Sequence, residues 1–191
     1  MRIQIGVMRS AGGRISKVAR EKAFEFGREI ARHGCVLVTG ACPGLPHEAV
    51  RGCRQAGGII VGISPALNLE EHIARYESPY EEFDVLIYTG DGLMGREVTG
   101  IRSCDIVVLI GGRSGTLGEF AIAYDEGKLI GVLEGTDGVA GHVDTIVRIV
   151  SKKTGATLIS DADPHRLMTR LLQSRQARNR RPAASLPREE G

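Results

Sequence analysis

Seven short apolar runs rich in β-branched residues, most of them separated by helix-period segments, constrain this chain more than anything else in it. The runs are Ile3–Met8, Cys35–Thr39, Ile59–Ile63, Phe83–Tyr88, Asp105–Ile110, Leu129–Leu133 and Ala156–Ile159. They do not alternate apolar with polar residues, so each reads as a strand buried on both faces. Helical periodicity fits residues 14–33, 43–56, 92–103, 116–126, 140–153 and 163–173. In the clearest case Ile15, Val18, Ala19, Ala23, Phe26 and Ile30 share one stripe, with Arg, Lys and Glu opposite and Gly34 as the stop. Asp163-Pro164 supplies an N-cap with proline at the first helical position. Such alternation predicts an α/β fold, a parallel sheet of about seven strands with helices on both faces. Ligands of these sheets bind outside the carboxyl ends of the strands.

Size and charge narrow the classes further. The 191 residues predict one domain over 1–174, with segment 64–82 a loop and short helix over the ligand edge. The 25 basic and 23 acidic residues are unevenly spread. Five arginines and two glutamates follow Ser174, leaving the body 20 basic against 21 acidic residues. A near-neutral body argues against a nucleic-acid face, and the tail 175–191 is expected to be disordered. Cys35, Cys42, Cys53 and Cys104 show neither a CxxC pair nor zinc-ligand spacing, so no metal is expected. Cys42, in a glycine-rich turn, is a candidate for exposure. Without a signal peptide or a long apolar segment, the expected setting is cytoplasmic, with no membrane partner.

Every glycine-rich turn follows a strand, so the turns converge on one sheet edge. The first contains Ser10 and Gly12, the second Gly40, Pro43 and Gly44, the third Gly111, Gly112, Arg113, Ser114, Gly115 and Thr116. Glycines admit a phosphate close to the backbone, and the N–H groups of the following helix point at it. None of the turns fits a Walker pattern or a clean GxGxxG with an acidic ribose partner. Glu119 falls one helical turn beyond the third turn. A carboxylate there opposes a phosphate, which points to a role in chemistry; the alternative is a first-turn glutamate favoured by the helix dipole. Arg96 is either a bidentate ligand for phosphate or carboxylate, or a surface arginine paired with Glu97 or Glu119. His47, His72 and His142 are expected at the surface or the core edge.

Gly40–Gly44, then Ala56-Gly57-Gly58-Ile59-Ile60-Val61-Gly62-Ile63, Arg96 and Gly111-Gly112 through Gly115-Thr116-Leu117-Gly118-Glu119 together resemble the LOG family. These are cytokinin-activating phosphoribohydrolases, often mislabelled lysine decarboxylases, with molybdenum cofactor carrier proteins as relatives. The resemblance runs from about Ile3 to Leu172. It implies a Rossmann-like doubly wound sheet and catalytic residues at Glu119 and Arg96, carried over from PGGxGTxxE and MHxRK patterns. The implied reaction hydrolyses the N-glycosidic bond of a nucleoside 5′-monophosphate, with no cofactor required and a nucleotide or phosphate bound. Homodimers or higher homo-oligomers are implied too, with helices 92–103 and 116–126 as contacts. The chain departs from the pattern at Gly111 for proline, at Arg113 for glycine, and at both neighbours of Arg96. These departures keep open a non-catalytic carrier of a nucleotide or molybdopterin-type cofactor. DNA handling would rest on the basic tail alone. Pyridoxal phosphate chemistry lacks a lysine in any site turn.

Overall fold

The computed structural model of the chain describes residues 1–8 and 15–180. Its sheet holds β1 (Gln4–Met8), β2 (Val36–Thr39), β3 (Ile59–Ser64), β4 (Val85–Tyr88), β5 (Ile106–Ile110), β6 (Leu129–Leu133) and β7 (Thr157–Asp161). All pairs are parallel, in the order β4-β3-β2-β1-β5-β6-β7. The strand order reverses between β1 and β5, where Val7 stands beside Val108. A doubly wound sheet opens its ligand crevice at such a switch point. The expected Rossmann-like α/β architecture is therefore the observed one.

The helices are α1 (Lys17–Arg32), α2 (Leu45–Gln55), α3 (Leu69–Ala74), α4 (Gly92–Arg102), α5 (Ser114–Asp125), α6 (Val143–Val150) and α7 (Pro164–Arg180). A 3-10 turn, Gly138–His142, precedes α6. Side chains of α1, α2 and α7 share one core with Ile5, Leu37, Ile60 and Val108. Side chains of α4, α5 and α6 share the other with Val38, Ile63, Val107 and Ile130. Strand β5 serves both layers, and all five of its residues are buried. Each such aliphatic side chain contributes about 1.5–3 kcal/mol on burial, which outweighs any local preference of the run.

Two glycines set the distance between α1 and α2. A Cβ on Gly27 would overlap the Ala49 carbonyl, and one on Gly52 would overlap the Phe24 carbonyl. Each helix thus presents a gap to the other's backbone.

The expected disorder of 175–191 fails over its first residues, because α7 continues to Arg180. Arg175 pairs with Asp105 at 2.6 Å and Arg178 donates to the Gly127 carbonyl at 2.7 Å. These contacts tie the last turns of α7 to the amino ends of β5 and β6. His72 also departs from expectation, being fully buried. Its ring nitrogens lie 2.8 Å from Ser64 Oγ and 3.1 Å from the Pro79 carbonyl, which fastens loop 64–82 to the end of β3. Cys42, the candidate for exposure, is buried as well.

Candidate functional site

The third glycine turn leaves the carboxyl end of β5, beside the switch point. Gly111 and Gly112 have φ of 62° and 101°, values that side chains rarely adopt. A Cβ on Gly112 would overlap the Thr116 side chain, which is fully buried beneath the turn. The Gly111 N–H donates to Thr136 Oγ1 at 2.8 Å, and that hydroxyl donates to the Leu133 carbonyl at 2.6 Å. Val139 and Ala140 N–H groups donate to the Gly112 and Gly111 carbonyls at 3.1 and 3.0 Å. Strand β6 and the following turn therefore brace the glycine turn, and the Gly111 N–H is committed to that bracing.

Helix α5 begins at Ser114, two residues earlier than periodicity predicts. Its first intrahelical bond runs from the Leu117 N–H to the Arg113 carbonyl at 3.0 Å. The N–H groups of Ser114 and Gly115 precede it at the helix start, where backbone N–H groups point outward along the axis. Arg113 and Ser114 are exposed, so the Arg113 side chain does not occupy the interior of the turn.

The second turn supplies a wall. Ala41 has φ of 48° and its N–H donates to Thr39 Oγ1 at 3.0 Å. Gly44, with φ of 95°, caps α2, while Pro43 is exposed. Gly40 is the critical position, because a Cβ there would collide with the Arg96 guanidinium. Ser10 and Gly12 of the first turn lie outside the described residues.

Arg96 is 8% exposed and not the surface arginine that sequence left open. Its Nη1 donates to the Ile63 carbonyl at 3.1 Å, so the guanidinium lies across the ends of β2 and β3. Glu97, the next residue on α4, is also 8% exposed, and Glu119 on α5 is 5% exposed. Among the described residues, the buried Arg96 Nε, Glu97 Oε2 and Glu119 Oε2 find no hydrogen-bond partner. Burial pushes the Glu119 carboxyl up to about 8; Glu97 adds to the rise, while Arg96 and a hydrogen bond from Thr116 oppose it. Burial also raises Glu97, against the pull of Arg96. Glu119 is therefore mostly a neutral acid near pH 7, a state that does not repel a phosphate.

Sequence reading assigned Glu97 only as a possible partner of Arg96. A signal was available, because Glu97, Gly100 and Ile101 share the inward stripe of α4. A carboxyl on an apolar stripe is seldom neutral in meaning. Thr136 was missed altogether, since its role depends on a turn that folds back from β6.

Taken together, these features define a parallel α/β protein with an anion-ready glycine turn and a buried carboxyl–guanidinium cluster at its switch point. Residues 2–168 match the SLOG cluster4 family, and the chain belongs to it. An uncharacterized protein of Archaeoglobus fulgidus is 32% identical over 133 residues, which is 69% of this chain and 80% of that protein. The crystal structure of TM1055, a structural-genomics target, has a TM-score of 0.77 at 26% identity, covering 90% of this chain and 99% of that one. The molybdenum cofactor carrier protein of Chlamydomonas reinhardtii has a TM-score of 0.72 at 28% identity, covering 91% of this chain and 98% of that one. The resemblance to the LOG-like branch thus holds at family level. Among the described residues no helix is long and apolar enough to cross a membrane.

Proposed function

We propose that this chain binds a nucleoside 5′-monophosphate and hydrolyses its N-glycosidic bond, releasing free base and ribose 5-phosphate. The observation that carries the reading is Glu119: deeply buried, raised to about 8, with an unpartnered oxygen one helical turn from the glycine turn. A perturbed carboxyl in that place fits a proton donor. The first-turn N–H groups of α5 hold the phosphate, and Glu119 gives its proton to a ring nitrogen of the departing base. The bond from ribose C1′ to the base nitrogen breaks with its electrons going to the base. Water adds to C1′, and the proton it loses restores Glu119. Arg96 offsets the negative charge that Glu119 acquires in between. No metal or organic cofactor is needed for these steps.

The second reading is a carrier on the same scaffold, and it is favoured by the similarity to a molybdenum cofactor carrier protein. One experiment separates the two. Purified protein and Glu119→Gln are incubated with nucleoside monophosphates, and free base and ribose 5-phosphate are quantified. The hydrolase reading expects Glu119→Gln to lose about 100-fold or more in turnover while binding persists. Saturable binding with no turnover by either protein sinks that reading and leaves the carrier.

We further propose that the chain works as a homo-oligomer in the cytoplasm. Val85 and Ile87 of β4 are about half exposed, as are Leu93 and Met94 of α4 and Leu117 of α5. Parallel sheets are ordinarily covered on both faces, and a second copy supplies the cover.

A further inference from the structure

The amino ends of the strands form the sheet edge opposite the glycine turns, and a separate cavity opens there. Its volume is about 560 Å³, and Arg2, Arg102, Asp105, Lys128 and Arg175 line it. An adjoining hollow of about 370 Å³ shares Asp105, Lys128 and Arg175 and adds Arg178. Asp105 and Lys128 directly precede β5 and β6, so the strands themselves fix the position of the cavity. At about 3.3 Å per residue, the five residues of β5 hold it about 16 Å from the third glycine turn.

Five basic side chains wall these two spaces against a single carboxylate, Asp105. That carboxylate is already satisfied, since it accepts from the Gln4 N–H at 3.0 Å and from Arg175 Nη2 at 2.6 Å. Burial works against its charge, but Gln4, Arg175 and Lys128 hold the carboxyl below its ordinary range. Arg102 is neutralised by Glu126 at 2.7 Å. Arg2, Lys128 and Arg178 are left with no carboxylate partner among the described residues.

Carbonyl groups explain part of this gathering. Lys128 Nζ donates to the Arg102 and Cys104 carbonyls at 3.4 and 3.0 Å, and Arg178 to the Gly127 carbonyl at 2.7 Å. The carboxyl end of a helix supplies only about half an elementary charge, which does not balance a full cation. Donors are left over as well, since an ammonium carries three protons and a guanidinium five. Cys104, on the floor, is inert: burial pushes its thiol up to about 12, and it donates to the Gly100 carbonyl at 3.0 Å.

We infer that this cavity is a second binding site, distinct from the glycine turns, that takes the triphosphate chain of a small anion without acting on it. Three cations without carboxylate partners around one concave space suit several negative charges carried close together. Phosphate oxygens accept from ammonium and guanidinium groups alike, and the volume suits a small molecule. The near balance of 25 basic and 23 acidic residues favours a compact polyanion over an extended nucleic acid.

Titration calorimetry of the full chain with tripolyphosphate and with ATP, both free of magnesium, tests it. Both are expected to bind about tenfold or more tighter than inorganic phosphate. Equal affinity for the two assigns recognition to the phosphates alone, while tighter ATP binding adds the nucleoside; either result supports the site. Binding is expected to survive Gly112→Ala, which perturbs the opposite edge, and to weaken about tenfold or more in Arg2→Gln/Arg178→Gln. If the double variant does not fold, the exposed Arg2→Gln alone carries the test, with an expected loss of about threefold. Unchanged affinity in the folded cavity variant, or loss in folded Gly112→Ala instead, places the anion elsewhere and overturns the inference. Absence of triphosphate binding overturns it outright. Binding of single-stranded oligonucleotides that tightens with length and falls in the same cavity variants overturns it in favour of a nucleic-acid contact. None of these outcomes depends on the nucleotide reading of the glycine turns.

Discussion

The Glu119 carboxyl makes the fold sensitive to alkali, and the size of the effect follows from its burial. Its folded-state value of about 8 lies well above the usual 4.5. The native state therefore holds more protons than the unfolded state between these values, and stability falls as pH rises through that window. Each unit of difference is worth about 1.4 kcal/mol, so moving from about pH 5 to about pH 9 removes about 4 kcal/mol. Glu29, Asp105 and Asp161 are held below their ordinary values by arginine, histidine or backbone partners, so they titrate on the acid side of the window. Glu119→Gln keeps the shape and removes the titration. Urea unfolding of both proteins at the two pH values isolates the contribution as a difference of differences. Wild type is expected to lose several kcal/mol more than the variant on going to high pH. Parallel losses in the two proteins would show that Glu119 ionises normally, and the general-acid role would go with it.

Other perturbations probe the scaffold. Gly27→Ala or Gly52→Ala forces α1 and α2 apart and is expected to cost about 1–3 kcal/mol or more in urea unfolding. Gly112→Ala meets both a φ of 101° and the Thr116 side chain, so it is expected to weaken phosphate binding as well as stability, read by calorimetry and thermal melting. Truncation after Ser174 removes the Arg175–Asp105 pair and the Arg178 contact with Gly127. A lower melting temperature is expected, since a partly exposed pair contributes up to about 1 kcal/mol. Met94→Lys places a charge on the exposed apolar surface and is expected to shift sedimentation toward monomer.

The sheet was legible because its central strands, β5 and β6 above all, are buried on both faces and so need no partner to declare them, whereas the edge strand β4 keeps the same apolar run with Val85 and Ile87 half exposed. Ile106–Ile110 reads as a strand from composition alone. Helix α1 was equally plain, since one stripe is apolar and the other charged. What failed to show depends on contacts between distant segments. Arg175 and Arg178 look like a solvated tail until Asp105 and Gly127 stand beside them. His72 looks isolated until Ser64 and Pro79 enclose it. At the site, periodicity located α4 and α5 but could not foretell that Gly40 leaves room for Arg96, or that Gly118 leaves room for Glu97. Both are cases where an absent side chain in one element positions a charged one in another.

The opposing forces on Glu119 give the site its character. Glu119 lies in the second turn of α5, beyond the first turn where the helix dipole would favour a carboxylate. Arg96 and the Thr116 hydroxyl favour the same form. The net shift is nevertheless upward, so the drying of the carboxyl, with the repulsion of Glu97 added, outweighs both together. That outcome resolves the conflict posed by a glutamate beside a phosphate turn: the acid is neutral when the phosphate arrives. It also makes water exclusion the controlling variable. Easing the repulsion rather than the burial tests the balance without touching Glu119: Glu97→Gln removes the neighbouring carboxylate and is expected to bring the Glu119 carboxyl down toward its ordinary range. The measurable consequence is a flatter stability profile in alkali together with weaker nucleotide binding, a pairing that loss of a mere packing contact would not produce.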